Sequence, residues 1–233
     1  MAIFPTVQAN GLSARAGVRA GAFFDVDNTL VPGFAVELHF LRYLWKEGLV
    51  GVNDALRSMW FLLRHIPPVS FHPLRERKLY LAGKQRATIE PLAAQFVRTE
   101  ICQKLSKDGV GALEAHQRAG HCCVLVTASL DFLVAPLAAF LDVKTVLSAR
   151  SELVSGEYTG HVLPPLPYGE GKRRLVESVA SQQGLDLARS YAYGDSPGDV
   201  GLLGAVGHPL VVNPIRGMAS IARRRGWPVA KWN

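Results

Sequence analysis

The sequence predicts an α/β protein: a parallel sheet with helices on both faces, interrupted by a small inserted α-helical bundle. Three observations predict it. From residue 110 onward, strand-like and helix-like segments alternate, the pattern of a parallel sheet joined by right-handed crossovers. The run His121–Thr127 shows no polar alternation, as expected of a parallel strand covered on both faces. Between the first strand and this pattern lie roughly seventy residues of helical character, more than a single crossover needs. The expected division is therefore a core domain of residues 1–33 and 110–233 and a helical cap of residues 34–109. The insertion follows the end of the first strand directly, which hangs it over that end of the sheet.

The elements follow in order. Ala22–Asp25 is apolar and β-prone, and reads as the first strand. Pro32-Gly33 marks a turn. From Phe34 the apolar period changes: Val36, Phe40, Leu41 and Leu44 share one helical face. A second apolar helix is expected from Val52 to His65, ended by Pro67-Pro68, and a third from after Pro73 to near Gly83. A fourth is expected from Thr88 to Leu105 with Pro91 in its first turn, where proline is tolerated. No strand is expected in this block. Then come a helix at Val110–Ala119, the strand His121–Thr127, a helix at Leu130–Leu141 and a strand at Lys144–Ser148. Ser155–Gly160 reads as a hairpin-like turn. A helix from Gly171 to Gln183 opens after Gly169-Glu170. The strand Ser190–Gly194 leads through Asp195–Asp199 into a helix ending near Leu203. A strand at Pro209–Asn213, a helix at Pro214–Arg225 and a strand at Trp227–Lys231 complete the chain.

The composition fits a globular chain with a full core: 48% hydrophobic residues and a mean hydropathy of +0.13. The net charge is +7, but the positive residues are scattered, with short clusters at Arg75–Lys78 and Arg223–Arg225. No basic run interleaved with aromatics appears, so nucleic acid is not an expected partner. The longest apolar runs fall short of a membrane span. Cys102, Cys122 and Cys123 show no metal-ligand spacing, and their odd number fits a reducing, cytoplasmic compartment. Residues 1–20 hold two arginines and no acids and are expected to pack loosely.

Four short pieces carry candidate chemistry, each placed at a strand end or helix start. The first is Asp25-Val-Asp27-Asn-Thr29. Two acids so close raise each other's proton affinity unless a cation sits beside them, and open α/β sheets place ligands at this edge. The plainer alternative is a strand ending in a solvated turn rich in Asp and Asn. The second is Thr127, whose hydroxyl, with the N–H groups of Ala128 and Ser129, makes either an anion cradle or a helix N-cap. The third is Lys172, in a first helical turn whose dipole it opposes; it is either a ligand-binding or a solvated lysine. The fourth is Asp195 at a strand end with Asp199 one turn later, either oxygen ligands for a hard cation or a capping pair.

Taken together and in this order, these pieces resemble the haloacid dehalogenase (HAD) superfamily of phosphohydrolases. The helical insertion after the first motif, Gly207–Pro214 and Arg223–Pro228 look like its phosphoserine-phosphatase-like branch. The resemblance implies a Rossmann-like, HAD-like core and a magnesium-dependent phosphatase. By the same resemblance Asp25 is the nucleophile and Asp27 the general acid and base. Asn28, Thr127, Ala128 and Lys172 bind the phosphoryl group. Asp25, Asp27 (through its backbone carbonyl) and Asp195 hold Mg2+, with Asp199 supporting metal or lysine from nearby. An acid at Asp27 separates phosphatases from dehalogenases in that family. The implied partner is a small-molecule phosphate ester.

One departure bears on the substrate. Phosphoserine phosphatases carry a glutamate for the substrate's amino group where this chain has Phe34, which disfavours phosphoserine; Glu37, one helical turn on, is the possible replacement. Trp45, Trp60, Phe61 and Phe71 read as bundle core, and Arg64, Arg75, Arg77, Lys78, Lys84 and Arg86 as solvated cap surface. A phosphotransferase passing the same group to an alcohol, and a non-catalytic binding protein on this fold, are the alternative readings.

Overall fold

The computed structural model describes residues 19–33, 35–52, 54, 56, 59–60 and 76–233. Its centre is a seven-stranded sheet. The strands are β1 (Gly21–Phe24), β2 (Cys122–Leu130), β3 (Thr145–Val154), β4 (Glu157–Leu163), β5 (Tyr191–Gly194), β6 (His208–Val212) and β7 (Val229–Ala230), in the order β4-β3-β2-β1-β5-β6-β7. All neighbours are parallel except β3 and β4, which form an antiparallel hairpin. The main helices are α1 (Val36–Lys46), α2 (Arg86–Phe96), α3 (Lys107–Arg118), α4 (Asp131–Phe140), α5 (Glu170–Gln183), α6 (Val200–Leu203) and α7 (Met218–Arg225).

Side-chain alternation in β1 builds two cores. Phe23 points to one face, into a cluster with Val176 and Val179 of α5, Leu203 of α6 and Met218 of α7. Phe24 points to the other, where Leu113 of α3, Leu133 and Leu137 of α4 and Phe40 of α1 join one cluster. Both phenylalanines are fully buried, each worth about 1.5–3 kcal/mol relative to exposure. The second cluster also takes in Ile89, Ala93 and Phe96 of α2, so the inserted segment shares its apolar packing with the sheet.

The α/β architecture expected from the sequence is present, and several local expectations change. Leu79–Leu81 is a single 3-10 turn rather than part of a helix reaching Gly83. The reason is pairing with β4: Lys78 N–H donates to Gly160 O (2.6 Å), Gly83 N–H to Tyr158 O (2.9 Å) and Arg86 N–H to Gly156 O (2.8 Å). Isolated bridges Arg77–His161 and Gln85–Glu157 belong to the same seam. Residues 77–86 thus pair with β4 and cover its otherwise open edge. Pro91 is interior to α2, which begins at Arg86. The expected turn at Ser155–Gly160 is only Ser155-Gly156, both at positive φ (51° and 84°) as a two-residue hairpin loop requires; β4 starts at Glu157. α7 begins at Met218, four residues later than expected. The expected helices over 52–65 and after Pro73, together with Phe34, Phe61, Arg64, Phe71, Arg75 and residues 1–18, lie wholly or partly outside the described residues. No described helix is long and apolar enough to cross a membrane.

At the amino edge of the sheet, His116 of α3 is buried between His121 (Nδ1 to Nδ1, 2.7 Å) and the hydroxyl of Tyr193 (2.8 Å). Burial first, and the His121 ring second, lower its pKa from 6.5 to about 4. A lowered folded-state pKa contributes stability that is present above the unfolded value and lost as pH falls toward the folded one. This amounts to about 3 kcal/mol between pH 6.5 and pH 4. His116→Gln is therefore expected to reduce the loss of stability on acidification relative to the wild type, measured as urea midpoints at pH 7 and pH 4.5. Equal losses in both proteins contradict this role for His116.

Candidate active site

The parallel ladder carries the chain one residue past β1: Asp25 N–H donates to Tyr193 O of β5 at 3.0 Å. The chain then turns, with Val31 N–H bonded to Val26 O (3.0 Å) and Asn28 at φ 58°. Asp25 is left buried at the carboxyl edge of the sheet, where β5 delivers Asp195 and the following 3-10 turn Pro197–Asp199 delivers Asp199. The close approach is set by Gly194: a Cβ there would lie 2.6 Å from that of Asp199.

Lys172, in the first turn of α5, is the cation of the cluster. Its ammonium donates to Asp25 Oδ1 (2.5 Å) and Asp199 Oδ1 (2.6 Å), with all three side chains buried. The other oxygen of Asp199 accepts from the N–H groups of Asp195 (3.3 Å) and Ser196 (3.0 Å) and from the Ser196 hydroxyl (2.8 Å). Thr29 donates to Asp25 Oδ2 at 3.2 Å. Four of the expected residues, Asp25, Lys172, Asp195 and Asp199, therefore meet in one place.

Asp27 faces the inserted segment. Its Oδ1 accepts from Val36 N–H, the first residue of α1 (2.6 Å), and its Oδ2 from the hydroxyls of Ser129 (2.8 Å) and Thr127 (3.3 Å). Thr127 is no helix cap, since β2 continues to Leu130 through a register shift; its oxygen also accepts from Ser129 N–H (3.0 Å). The Ser129 side chain went unnoticed in the sequence, although residues two apart on a strand share a face. Asn28, expected beside the phosphoryl group, spends its donors elsewhere. Its amide donates to Asp195 Oδ2 (2.9 Å) and Asn213 O (3.0 Å), and its N–H to Val31 O (2.9 Å). Its side-chain amide is thus held against the Asp195 carboxylate.

The charges are unevenly matched. Burial raises the Asp25 carboxyl well above its usual range; Lys172 opposes this, and Asp199, Asp27 and Asp195 reinforce it. Burial likewise raises Asp27, against the bonds from Val36 and Ser129, and pushes Asp195 up to about 7. Burial also works to raise Asp199, but Lys172 and Ser196 outweigh it and hold it below the usual range. Lys172 is kept charged by Asp199 and Asp25 despite burial. One ammonium among four acids leaves an excess of negative charge that suits a divalent cation. Oxygens of Asp25, Asp195 and Asp199 lie within 4.8 Å of one another, an all-oxygen donor set of the kind hard cations take.

A cavity of about 450 Å³ opens onto this cluster, its wall including Asp25, Asp27, Ala128, Lys172 and Arg216. A second of about 210 Å³ runs from Asp27 and Ser129 toward Glu37, Lys78 and Tyr168. Glu37 is already engaged, accepting from Lys78 Nζ (2.7 Å) and the Tyr80 hydroxyl (3.1 Å).

A doubly wound sheet with buried acids and a lysine at its carboxyl edge suits a hydrolase acting on phosphate esters. The chain belongs to the haloacid dehalogenase-like hydrolase family, whose model matches residues 22–204, and it is a phosphatase of that family. A phosphoserine phosphatase of Mycobacterium tuberculosis is 33% identical over 90% of this chain and 70% of its own length. A histidinol-phosphatase of Neisseria meningitidis is 27% identical over 89% of this chain and 96% of its own. Among solved structures, a Bordetella pertussis protein of unknown function superposes with a TM-score of 0.78 at 31% identity, covering 91% of this chain and 98% of that one.

Proposed function

We propose that the protein is a magnesium-dependent phosphatase that hydrolyses a phosphate monoester of a small organic molecule through a phospho-Asp25 intermediate. The observation that carries this reading is the buried Lys172 ammonium held between Asp25 and Asp199, with Asp195 completing an all-oxygen cluster. Asp25, Asp195 and the Asp27 carbonyl would hold the cation, which when bound offsets the negative charge of Asp25 and of the phosphoryl group. Phosphoryl transfer depends on such positioning and neutralisation.

An oxygen of Asp25 attacks phosphorus while Thr127, Lys172 and the Ala128 backbone hold the phosphoryl oxygens. Asp27, whose pKa is raised by burial, gives its proton to the departing alkoxide. It then takes one from the water that attacks phospho-Asp25, releasing inorganic phosphate. Asp199 keeps Lys172 in place. Residues 34–109 act as the cap, its first helix anchored on Asp27 through Val36. Phosphoserine is disfavoured: Glu37, the acid that shares the second cavity's wall with the catalytic Asp27, is neutralised by Lys78 and unavailable to a substrate ammonium. The free cysteines fit a cytoplasmic setting.

The test is a panel of phosphate esters assayed on purified protein. Turnover of at least one ester is expected, at least ~10²-fold slower after EDTA treatment and restored by Mg2+. Full turnover in EDTA removes the cation from the reading, and no turnover of any ester removes the reading.

A further inference from the structure

Arg216 stands out on the wall of the catalytic cavity. It lies in the loop after β6, which is stitched to the site on both sides. Ile215 N–H donates to Asp195 O (3.0 Å), and the Asn213 amide donates to Asn28 O (3.1 Å). Within five residues the loop holds three left-handed conformations: Asn213 (φ 45°), Arg216 (φ 49°) and Gly217 (φ 79°). The other non-glycine residues at positive φ among those described are Asn28, Asp142, Ser155 and Asn213. All are short and polar, the kind that tolerates this region. Arg216 is the exception, a long side chain in a backbone conformation that favours glycine, beside a functional cleft.

Its charge is also uncommitted. Among the described residues Arg216 takes part in none of the ion pairs, although it shares a cavity wall with Asp25, Asp27 and Asp195. The other cation facing the cavities besides Lys172, Lys78, is neutralised by Glu37. Beyond the catalytic cluster of acids and Lys172, the cavity walls therefore offer one guanidinium outside any ion pair, Arg216, and one further carboxylate, Glu37, that is already paired. A guanidinium presents paired donors that match a carboxylate and is held here by an anchored loop.

We propose that Arg216 binds a carboxylate on the leaving group, so that the preferred substrate is the phosphate ester of a hydroxy acid without an ammonium group, rather than of a neutral alcohol or of an amino acid such as serine. This rests on the phosphatase reading of the site and adds its substrate class. Three probes of matched size separate the possibilities: 3-phosphoglycerate, glycerol 3-phosphate, which has a hydroxymethyl group in place of the carboxylate, and phosphoserine, which has an ammonium in place of a hydroxyl. Dissociation constants are measured in Mg2+ on Asp25→Asn protein, which takes turnover out of the measurement, with and without Arg216→Ala or Arg216→Lys.

The expected result is binding of 3-phosphoglycerate about tenfold tighter than glycerol 3-phosphate and tighter than phosphoserine. Arg216→Ala should abolish the advantage over glycerol 3-phosphate while leaving glycerol 3-phosphate unchanged, and Arg216→Lys should restore part of it. Equal weakening of both ligands assigns Arg216 to the phosphoryl group or to loop structure and overturns the proposal. So does unchanged discrimination, or tightest binding of phosphoserine. Failure of the phosphatase reading shows separately, as absence of turnover of every ester of the wider panel by the wild-type protein; turnover of other esters without binding of 3-phosphoglycerate overturns only the assignment of Arg216.

Discussion

Asp25→Asn is expected to lower kcat by at least ~10⁴-fold while leaving the protein folded, the scale on which removal of a covalent nucleophile acts. The amide keeps the size of the carboxylate, and its oxygen still accepts from Lys172 or Thr29. What it loses is the negative oxygen that attacks phosphorus. Removing one acid from a cluster with Asp27, Asp195 and Asp199 nearby also relieves repulsion, and Asp199 remains to pair Lys172. The thermal midpoint should therefore stay within a few degrees of wild type. Acid quenching during turnover of a phosphorus-labelled ester should trap label on the wild-type protein and none on the variant. Activity within ~10-fold of wild type, or label retained on the variant, removes Asp25 as nucleophile.

The strand ends that gather the site were readable because each pairs an apolar, β-prone run with a polar residue that the run does not explain. Asp25 after Phe23-Phe24 and Asp195 after Tyr193-Gly194 are such cases, and both reach the same edge of the sheet. Lys172 was readable as a cation at the wrong end of a helix, and its burial between two acids supplies the reason. What escaped reading was set by partners distant in sequence. Apolar spacing around Leu79 and Leu81 suggests a helix, yet the backbone from Lys78 to Arg86 is claimed by β4. β4 itself was hidden because Glu157-Tyr-Thr-Gly follows directly on a two-residue turn and reads as more turn. Thr127 was placed at a helix start because the chain turns polar there, whereas an irregularity in the pairing with β3 carries the strand on to Leu130. Arg216 gave no sign at all, since its backbone angle and its place on the cavity wall are products of the folded loop.

Lys172→Met is expected to damage stability and catalysis together, by separable routes. Methionine fills much of the lysine's volume but leaves Asp25 and Asp199 buried without their counter-ion. Breaking a buried pair from one side costs about 3–5 kcal/mol, which in a chain of this length lowers the thermal midpoint by roughly 6–20 °C. Lys172 has a raised pKa and Asp199 a lowered one. The pair's contribution is thus lost only as pH rises through the lysine's folded value or falls through the aspartate's, and is whole at pH 7. The same change removes a cation from the phosphoryl group, a loss of ~10²–10³ in kcat. The double variant Lys172→Met with Asp199→Asn tells the two effects apart. Neutralising Asp199 removes one stranded charge, so the midpoint should recover by several degrees, while kcat should stay at the single-variant level because the lost cation is not replaced. If activity returned along with stability, Lys172 would act only by holding the site together. If neither the midpoint nor kcat fell in the single variant, the buried ammonium would not be what balances these acids.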